Sequence, residues 1–394
     1  MANTLEGTRT NRTTDPLFDT LRQICTSFRI PGKFLSYDEI KVGNVNRTYK
    51  VNFQQPCQAD AANDASDARS DAPCKSYMIQ RINTYAFKEP VKVMENIDKV
   101  TEHIRAKRPD KVSLHFHHTA DRKNYVSDEH GFWRLFNYVP SVTYNTTEKL
   151  SVIRNAGEAF GEFQMLLGDF DVALLHETIP DFHNTRKRYA KLEEDVRNDP
   201  QGKVKEVQAE IDWLLSVKEQ ACRLTDMQQR NELPLRVTHN DTKINNVLFD
   251  AETDKALVVI DLDTVMPGLV GHDFGDAIRF AANYVSEDSP EAEKAGVNME
   301  IFRAFTGGFL KQTAATLTQA EIDTLGISCF ALACELATRF LDDHILGSPY
   351  FKIEYPEHNL VRTRCQIALA KDMLARMNEM ENVVRACAYN RTNR

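Results

Sequence analysis

The chain has 394 residues, a formal net charge of −8 at neutral pH, 42% hydrophobic and 27% charged residues. At roughly 100–200 residues per domain this predicts two domains or one large two-lobed unit with a sizeable core. It excludes wholesale disorder, a collagen helix (16 Gly with no three-residue period) and a disulfide scaffold, for which eight Cys are too dilute.

The span 15–30 carries Leu17, Leu21, Ile24 and Phe28 on one face, which predicts a helix. Short β-like runs follow at 33–41, 47–53 and 77–82. Between the last two, the segment 54–75 is mostly Ala, Asp and Ser with no apolar anchor and reads as a flexible hairpin insertion. Cys57 and Cys74 bracket it and read as free thiols rather than a bridge. A second helix is predicted at 90–107, with Val91, Met94, Ile97, Val100 and Ile104 on one stripe. Strand-like runs return at 112–117, 124–126 and 132–138. After Pro140 the character changes. Asn145-Thr-Thr-Glu148 is a capping signal opening a helix to about Leu167, and long helical patterns follow at 203–223, 290–314, 318–346 and 356–385. Thr318-x-x-Glu321 is another capping box. The β signals of this half are 236–239, 247–249 and 257–260. The expected organisation is an α+β chain: a small β-rich N-terminal lobe, residues 1–139, then a larger, mainly helical C-terminal lobe, residues 140–394.

The densest chemistry lies in VTHNDTKINNVLFD followed by ALVVIDLDTVMPG. A β-run ends in His239-Asn-Asp241, Asn246 comes five residues after Asp241, and a second β-run leads into Asp261, twenty residues after Asp241. Asp and Asn oxygens suit a hard cation such as Mg²⁺, which usually takes one or two protein carboxylates plus substrate phosphates. Asp241 can accept a proton from an attacking hydroxyl, and Lys243 can place positive charge on the phosphoryl group in transit. Residue types, order and spacing fit kinase-type phosphoryl transfer. Asp273-Phe274-Gly275 also spells a kinase motif, but it opens a helical pattern. Asp261, directly after ALVVI, is the better metal ligand, and Asp273 is expected to fix the catalytic loop by hydrogen bonding. His239 and Asp263 are expected as supports, Asp263 through a contact beside the metal or a plain structural role.

These residues, together with Gly271-His-Asp273-Phe-Gly-Asp276, resemble the aminoglycoside phosphotransferase/choline kinase superfamily. Within it the chain is most similar to the N-acetylhexosamine 1-kinase group, through DTKINNVLFD, IDLDTVMPG, DFGDAIRF and RFLDDHILGSPYFK, and through GNVNRTYKV, YMIQRINTYAF and VMENI near the N-terminus. The resemblance runs from about Asp15 to Met377, broken by the insertion. It implies a protein-kinase-like bilobal fold, ATP and Mg²⁺ as cofactors, and an acceptor held by the helical lobe. Gly43, Asn44 and Asn46, in a turn between two β-runs, are candidates to cap phosphates; an ordinary hairpin turn is the alternative. Arg81 stands where the resemblance expects a lysine, and Glu95 is the candidate to orient it. Adenine is expected against the run Phe136-Asn137-Tyr138-Val139. For the acceptor, the candidates are Phe280 as a platform for a sugar face, Arg339 and Asp343 at helical i, i+4 spacing, and Tyr350.

The implied activity is an ATP- and Mg²⁺-dependent sugar kinase acting on the anomeric hydroxyl of an N-acetylhexosamine, GlcNAc or GalNAc. The alternatives are a kinase of an aminoglycoside, choline, homoserine or another amino alcohol, or a nucleotide-binding pseudokinase. A choline site wants an aromatic cage, and the chain has two Trp. No basic stripe interleaved with aromatics points to nucleic acid. The longest uncharged apolar runs fall far short of the ~20 residues of a membrane span, and the N-terminus has no apolar signal region. The expectation is a cytoplasmic monomer or weak homo-oligomer with partners limited to ATP and a small-molecule sugar.

Overall fold

The structure is a computed structural model that describes residues 2–4, 9–10, 15–41, 45–56 and 73–392. The chain divides into two units, Ala2–Thr143 and Tyr144–Arg394.

In the first unit an antiparallel sheet is built from β1 (Arg9–Thr10), β2 (Lys33–Ile40), β3 (Arg47–Gln54), β4 (Cys74–Ile82), β5 (Val126–Asp128) and β6 (Gly131–Asn137), in the order β1-β2-β3-β4-β6-β5. Strand alternation sends Tyr49, Val51, Phe53, Tyr77, Ile79, Trp133 and Leu135 to one face. There they bury against Leu21, Ile24, Cys25 and Phe28 of the α1 segment (α1, Pro16–Ser27). Asp15 caps α1, accepting from the Leu17 N–H at 2.9 Å. Helix α2 (Pro90–Lys107) lies on the other face: the Arg134 guanidinium meets the Met94 sulfur at 3.9 Å, and the Asn124 amide donates to the Met94 carbonyl at 2.8 Å.

The β3–β4 ladder runs in register from Arg47↔Arg81 to Gln54↔Cys74 and closes with the Gln55 N–H on the Pro73 carbonyl at 3.0 Å. Most of the expected insertion, with Cys57, lies outside the described residues; Cys74 is a free, exposed thiol. The run at 112–117 does not become a strand. β5 takes the first half of the β6 edge, and 112–117 reaches the second half only through a bridge at Phe116↔Phe136.

The second unit is mainly helical. Helices α3 (Leu150–Leu166) and α9 (Met299–Thr313) cross closely because Gly157 and Gly308 stand at the contact. A Cβ at Gly157 would sit 2.3 Å from the Phe305 carbonyl oxygen, and one at Gly308 2.1 Å from that of Arg154. Helix α4 (Thr185–Asn198) had no counterpart in the sequence reading. Half of its residues are Lys, Arg or Glu, and it buries only Thr185, Tyr189, Leu192 and Asp195. The pattern at 203–223 resolves into a short 3₁₀ turn and three helices, α5 (Gln208–Ser216), α6 (Lys218–Ala221) and α7 (Arg223–Gln229). After α8 (Val270–Ala281), α9 begins only at Met299, capped by Asn298.

Helix α10 (Gln319–Ile345) opens on the expected box. Thr318 Oγ1 accepts the Glu321 N–H at 3.2 Å, and the Glu321 carboxylate accepts the Thr318 N–H at 2.7 Å. By length and composition α10 could cross a membrane, but 94% of its apolar window is buried inside the protein. The pattern at 356–385 breaks at Arg376 into α11 (His358–Ala375) and α12 (Met377–Thr392). The signal at Asn145–Glu148 does not cap α3, which starts at Leu150 after Lys149, a residue without a capping side chain bond.

Candidate active site

Four short strands carry the catalytic candidates. β7 (Arg236–Thr238) pairs antiparallel with β10 (Met266–Gly268), and β8 (Val247–Phe249) forms a ribbon with β9 (Ala256–Val259). The loop 239–246 joins β7 to β8, and Asp261 follows β9. The two loops are tied through Ile260. Its N–H donates to the Asn246 carbonyl at 2.9 Å, and its carbonyl accepts from His239 Nε2–H at 2.8 Å. Asn246 and Asp261 are thereby brought to the same end of the ribbon.

His239 is fully buried, with the edges of Phe160 and Phe163 against its ring. With Nε2–H committed to Ile260, Nδ1 accepts the Asp241 N–H at 3.3 Å. This residue sets loop geometry rather than touching a reacting group. Asp273, in the first turn of α8, does the same from beneath. One carboxylate oxygen accepts the His239 N–H at 2.9 Å and the Gln164 amide at 2.7 Å, and the other accepts the Asn240 N–H at 2.7 Å. Burial pushes the Asp273 pKa up, and the three N–H donors work against that shift by favouring the carboxylate. The Thr242 hydroxyl donates to the Asp273 carbonyl.

Asn240 (φ +63°) and Asp261 (φ +61°) both adopt the left-handed conformation, which costs a non-glycine residue ~1 kcal/mol. Asn240 is held there by its side chain, which donates to the Thr264 carbonyl at 2.9 Å and accepts from Thr238 Oγ1 at 3.0 Å. Gly268 permits this: a Cβ there would fall 2.2 Å from Thr238 Oγ1.

Asp241 is half-buried. Lys243 Nζ lies 2.9 Å from its Oδ1, and the Asn246 amide donates to its carbonyl at 2.8 Å and to Oδ2 at 3.2 Å. Burial works against the Lys243 charge, but Asp241 and Asp276 outweigh it and hold the ammonium above its ordinary range. Asp276 is itself buried on α8 and kept ionised by Arg279, at 2.9 Å, together with Lys243 and His183. Asp263 is buried and Asp261 exposed.

The donor chemistry fits Mg²⁺. The Asn246 amide nitrogen is spent on Asp241, so its oxygen faces away, and Asp261 adds an exposed carboxylate at the same ribbon end. Among the described residues no group of three His, Cys, Asp or Glu side chains could hold a metal ion. Mg²⁺ usually takes one or two protein oxygens and is completed by phosphate.

The nucleotide-side candidates fare differently. Gly43 and Asn44 lie outside the described residues. Asn46 accepts the Asn83 N–H at 3.0 Å. Asn137 uses its side chain on the 113–115 segment, accepting the His115 N–H at 2.7 Å and donating to the Ser113 carbonyl at 3.0 Å. The Tyr138 ring carries Lys50 Nζ at 4.3 Å. The pairing of Arg81 with Glu95 is not formed. Arg81 points to the α1 face of the sheet, over Trp133 at 5.9 Å, whereas α2, with Glu95 exposed, covers the opposite face. The β4 residue next to Arg81 on the α2 face is Gln80, whose Oε1 accepts from Arg134 Nε at 2.9 Å.

On the acceptor side, Phe280 is half-buried in the last turn of α8. Arg339 and Asp343 share a helix but not an ion pair. The Asp343 carboxylate is buried and accepts the Tyr350 N–H at 2.9 Å, the Phe351 N–H at 3.1 Å and the Asn359 amide at 2.8 Å. It therefore holds the loop after α10 and is not available to an acceptor. The Arg339 guanidinium lies between the rings of Phe182 (5.7 Å) and Phe351 (5.4 Å), with no carboxylate within ion-pair reach among the described residues. Burial and the charge of Arg188 lower its pKa, against which Glu335 and Tyr350 work. Tyr350 is 72% exposed.

Several residues of the site carried no local motif: Gln164, Phe182, His183, Thr264 and Glu335. Each reaches the loop from outside the motif that carries Asp241 and Asn246.

This site lies in a chain of which residues 57–306, more than half, match the model of the phosphotransferase enzyme family, and the chain belongs to that family. Similar solved structures include an aminoglycoside phosphotransferase from Alicyclobacillus acidocaldarius, at 12% identity and TM-score 0.60, covering 96% of this chain and 98% of that one. A microcompartment-associated aminopropanol kinase matches at 14% identity and TM-score 0.59, covering 91% and 98%. A choline kinase from Cryptosporidium parvum matches at 12% identity and TM-score 0.52, covering 95% and 99%. At these identities the likeness is one of fold.

Proposed function

We propose that this phosphotransferase is an ATP- and Mg²⁺-dependent kinase of an uncharged sugar, acting on the anomeric hydroxyl of an N-acetylhexosamine. The observation that carries the choice of acceptor class is the charge balance beside the catalytic loop. Asp276 is paired with Arg279, Glu335 with His183 at 2.8 Å, and Asp343 with main-chain N–H groups. Arg339 has no carboxylate within ion-pair reach among the described residues, and Phe182, on which it stacks, adjoins His183, which reaches the Asn240 carbonyl at 3.4 Å. A cationic acceptor such as choline or an aminoglycoside would meet the guanidinium charges of Arg339 and Arg188 there, which Glu335 offsets in part. A sugar offers hydroxyl and acetamido oxygens that a guanidinium fork can grip.

In this reading Asp241 accepts the proton of the attacking hydroxyl while Lys243 offsets charge on the transferring phosphoryl group. Asn246 and Asp261 hold Mg²⁺, which when bound neutralises phosphate oxygens. Positioning and electrostatics carry the rate.

The test is ADP release from Mg-ATP with a panel of GlcNAc, GalNAc, other hexoses, choline, ethanolamine and kanamycin, with and without EDTA. Sugar-dependent, EDTA-sensitive turnover lost about 10²-fold or more in Asp241→Asn supports the reading. Turnover with choline or kanamycin alone removes the sugar assignment, and full activity of Asp241→Asn removes the catalytic loop.

A further inference from the structure

We infer that His183, as an imidazolium clamped between Glu335 and the main-chain carbonyl of Asn240, is a positioning residue that sets the conformation of the catalytic loop; this rests on the reading of Asp241 as the catalytic group. His183 Nδ1 lies 2.8 Å from Glu335 Oε1, and Nε2 lies 3.4 Å from the Asn240 carbonyl oxygen. A carboxylate and a carbonyl only accept, so satisfying both requires both ring nitrogens to donate, which is the charged form. The other Glu335 oxygen accepts from Thr185 Oγ1 at 2.7 Å, which fixes the carboxylate on its own side. The ring is 5% exposed and Glu335 fully buried, so the pair is shielded from water and salt.

The groups facing His183 are Glu335 and Arg339 from α10, and Asp276 and His272 from α8, the His272 ring centred 4.8 Å away. Burial opposes the charge on His183, and Glu335 with Asp276 overcomes it, so its pKa stands above the ordinary histidine value. Glu335 is correspondingly pushed down to about 2. His272 takes the opposite state. Burial and the neighbouring His183 charge bring it down to about 3, and neither of its ring nitrogens has a partner among the described residues.

The clamp has a mechanical consequence. Asn240 is left-handed, and that turn delivers its carbonyl to His183 and its N–H to Asp273. Asn240 is thus gripped on both sides by buried charge, its N–H by Asp273 and its carbonyl by His183, and the peptide that leads into Asp241 is held at its carbonyl by His183 and at its N–H by the His239 ring. When His183 loses its proton, the Asn240 carbonyl loses its donor, and the peptide, left with only the 3.3 Å bond from its Asp241 N–H to His239, shifts and carries Asp241 out of line. Activity should therefore fall as pH rises through the His183 pKa. Lys243, held above its ordinary range, does not titrate in that window.

The experiment combines kinetics and spectroscopy on the full chain. With GlcNAc and Mg-ATP, His183→Gln should lower kcat about 10–100-fold, the cost of a misplaced reacting group, leave KM for ATP unchanged, and abolish the alkaline limb of the kcat profile. Glu335→Gln should move that limb to lower pH. If His183→Gln fails to fold because Glu335 is left unpaired, the double variant His183→Gln/Glu335→Gln carries the same kinetic test. Independently, nitrogen-15 NMR of histidine-labelled protein should show both His183 nitrogens protonated at pH 7, in the parent chain and in Asp241→Asn alike. A neutral His183 ring at pH 7, or an alkaline limb unchanged in His183→Gln, overturns the inference while an inactive Asp241→Asn keeps the catalytic reading. An active Asp241→Asn overturns the catalytic reading, and with it the positioning role, while the imidazolium measurement stands on its own.

Discussion

Replacing Asp273 with Asn tests whether the catalytic loop is held from beneath. Asp273 is 2% exposed, and its two oxygens accept three N–H donors, from His239, Gln164 and Asn240. Asparagine keeps the shape but turns one acceptor into a donor. If the remaining oxygen serves His239 and Gln164, the new amide faces the Asn240 N–H, donor against donor. Turned over, it loses the other two bonds. One buried, orphaned N–H costs ~1–3 kcal/mol, and the surviving bonds lose their charge assistance, worth roughly another 1 kcal/mol. Relief from burying a charge offsets part of this, so Asp273→Asn should destabilise the protein by about 2–3 kcal/mol. Urea denaturation measures that loss, and hydrogen exchange at the His239 and Asn240 amides should accelerate. Loosening the loop should lower kcat about 10²-fold. A stability change under ~0.5 kcal/mol with unaltered exchange and turnover would refute the argument that Asp273 braces the loop.

Gly275→Ala should cost about 1–3 kcal/mol by overpacking, since its Cβ would lie 2.6 Å from the Ser328 carbonyl oxygen where α8 meets α10; an unchanged thermal midpoint would contradict the close approach. Because the β3–β4 ladder closes at Gln55 and Pro73, replacing 56–72 with a short turn should leave the midpoint and turnover near those of the parent, and a large loss of activity would show that the insertion serves the site. Asp342 on α10 has its pKa raised to about 7 by burial and then by Asp195. Its contribution to stability is complete below about pH 4 and is lost as pH rises from there through the folded value of about 7. Asp342→Asn should therefore gain about 1 kcal/mol at pH 8, after discounting for partial exposure, and nothing at pH 4, as melts at the two pH values would show.

Periodicity exposed the elements whose apolar stripe is regular. α1, α2 and α10 follow from it, as does the Thr318 box, because burial on one face imposes the 3.6-residue period. It failed where tertiary contacts govern. α4 hides its few buried residues among charges, and the three helices of 208–229 are broken at points no proline or glycine marks. In the site, the spacing from His239 to Asp261 was legible because a loop between two short strands sets its own geometry. Strand alternation was equally available to show that Arg81 and Gln80 face opposite sides of the sheet. The placing of α2 on the Gln80 side, which separates Arg81 from Glu95, was not. Asp343 illustrates the limit of helical spacing. Sharing a face with Arg339 says nothing of the loop after α10, whose N–H groups claim its carboxylate.

The central claim, an anomeric sugar hydroxyl phosphorylated at Asp241, is tested most directly on the product. The protein is incubated with Mg-ATP and GlcNAc or GalNAc, and the product examined by phosphorus-coupled proton NMR. The account predicts coupling of phosphorus to H1, loss of reducing-end reactivity, no turnover of the methyl glycoside and no product with Asp241→Asn. A methyl glycoside phosphorylated as readily as the free sugar, or phosphorus coupled to any other ring proton, would contradict it.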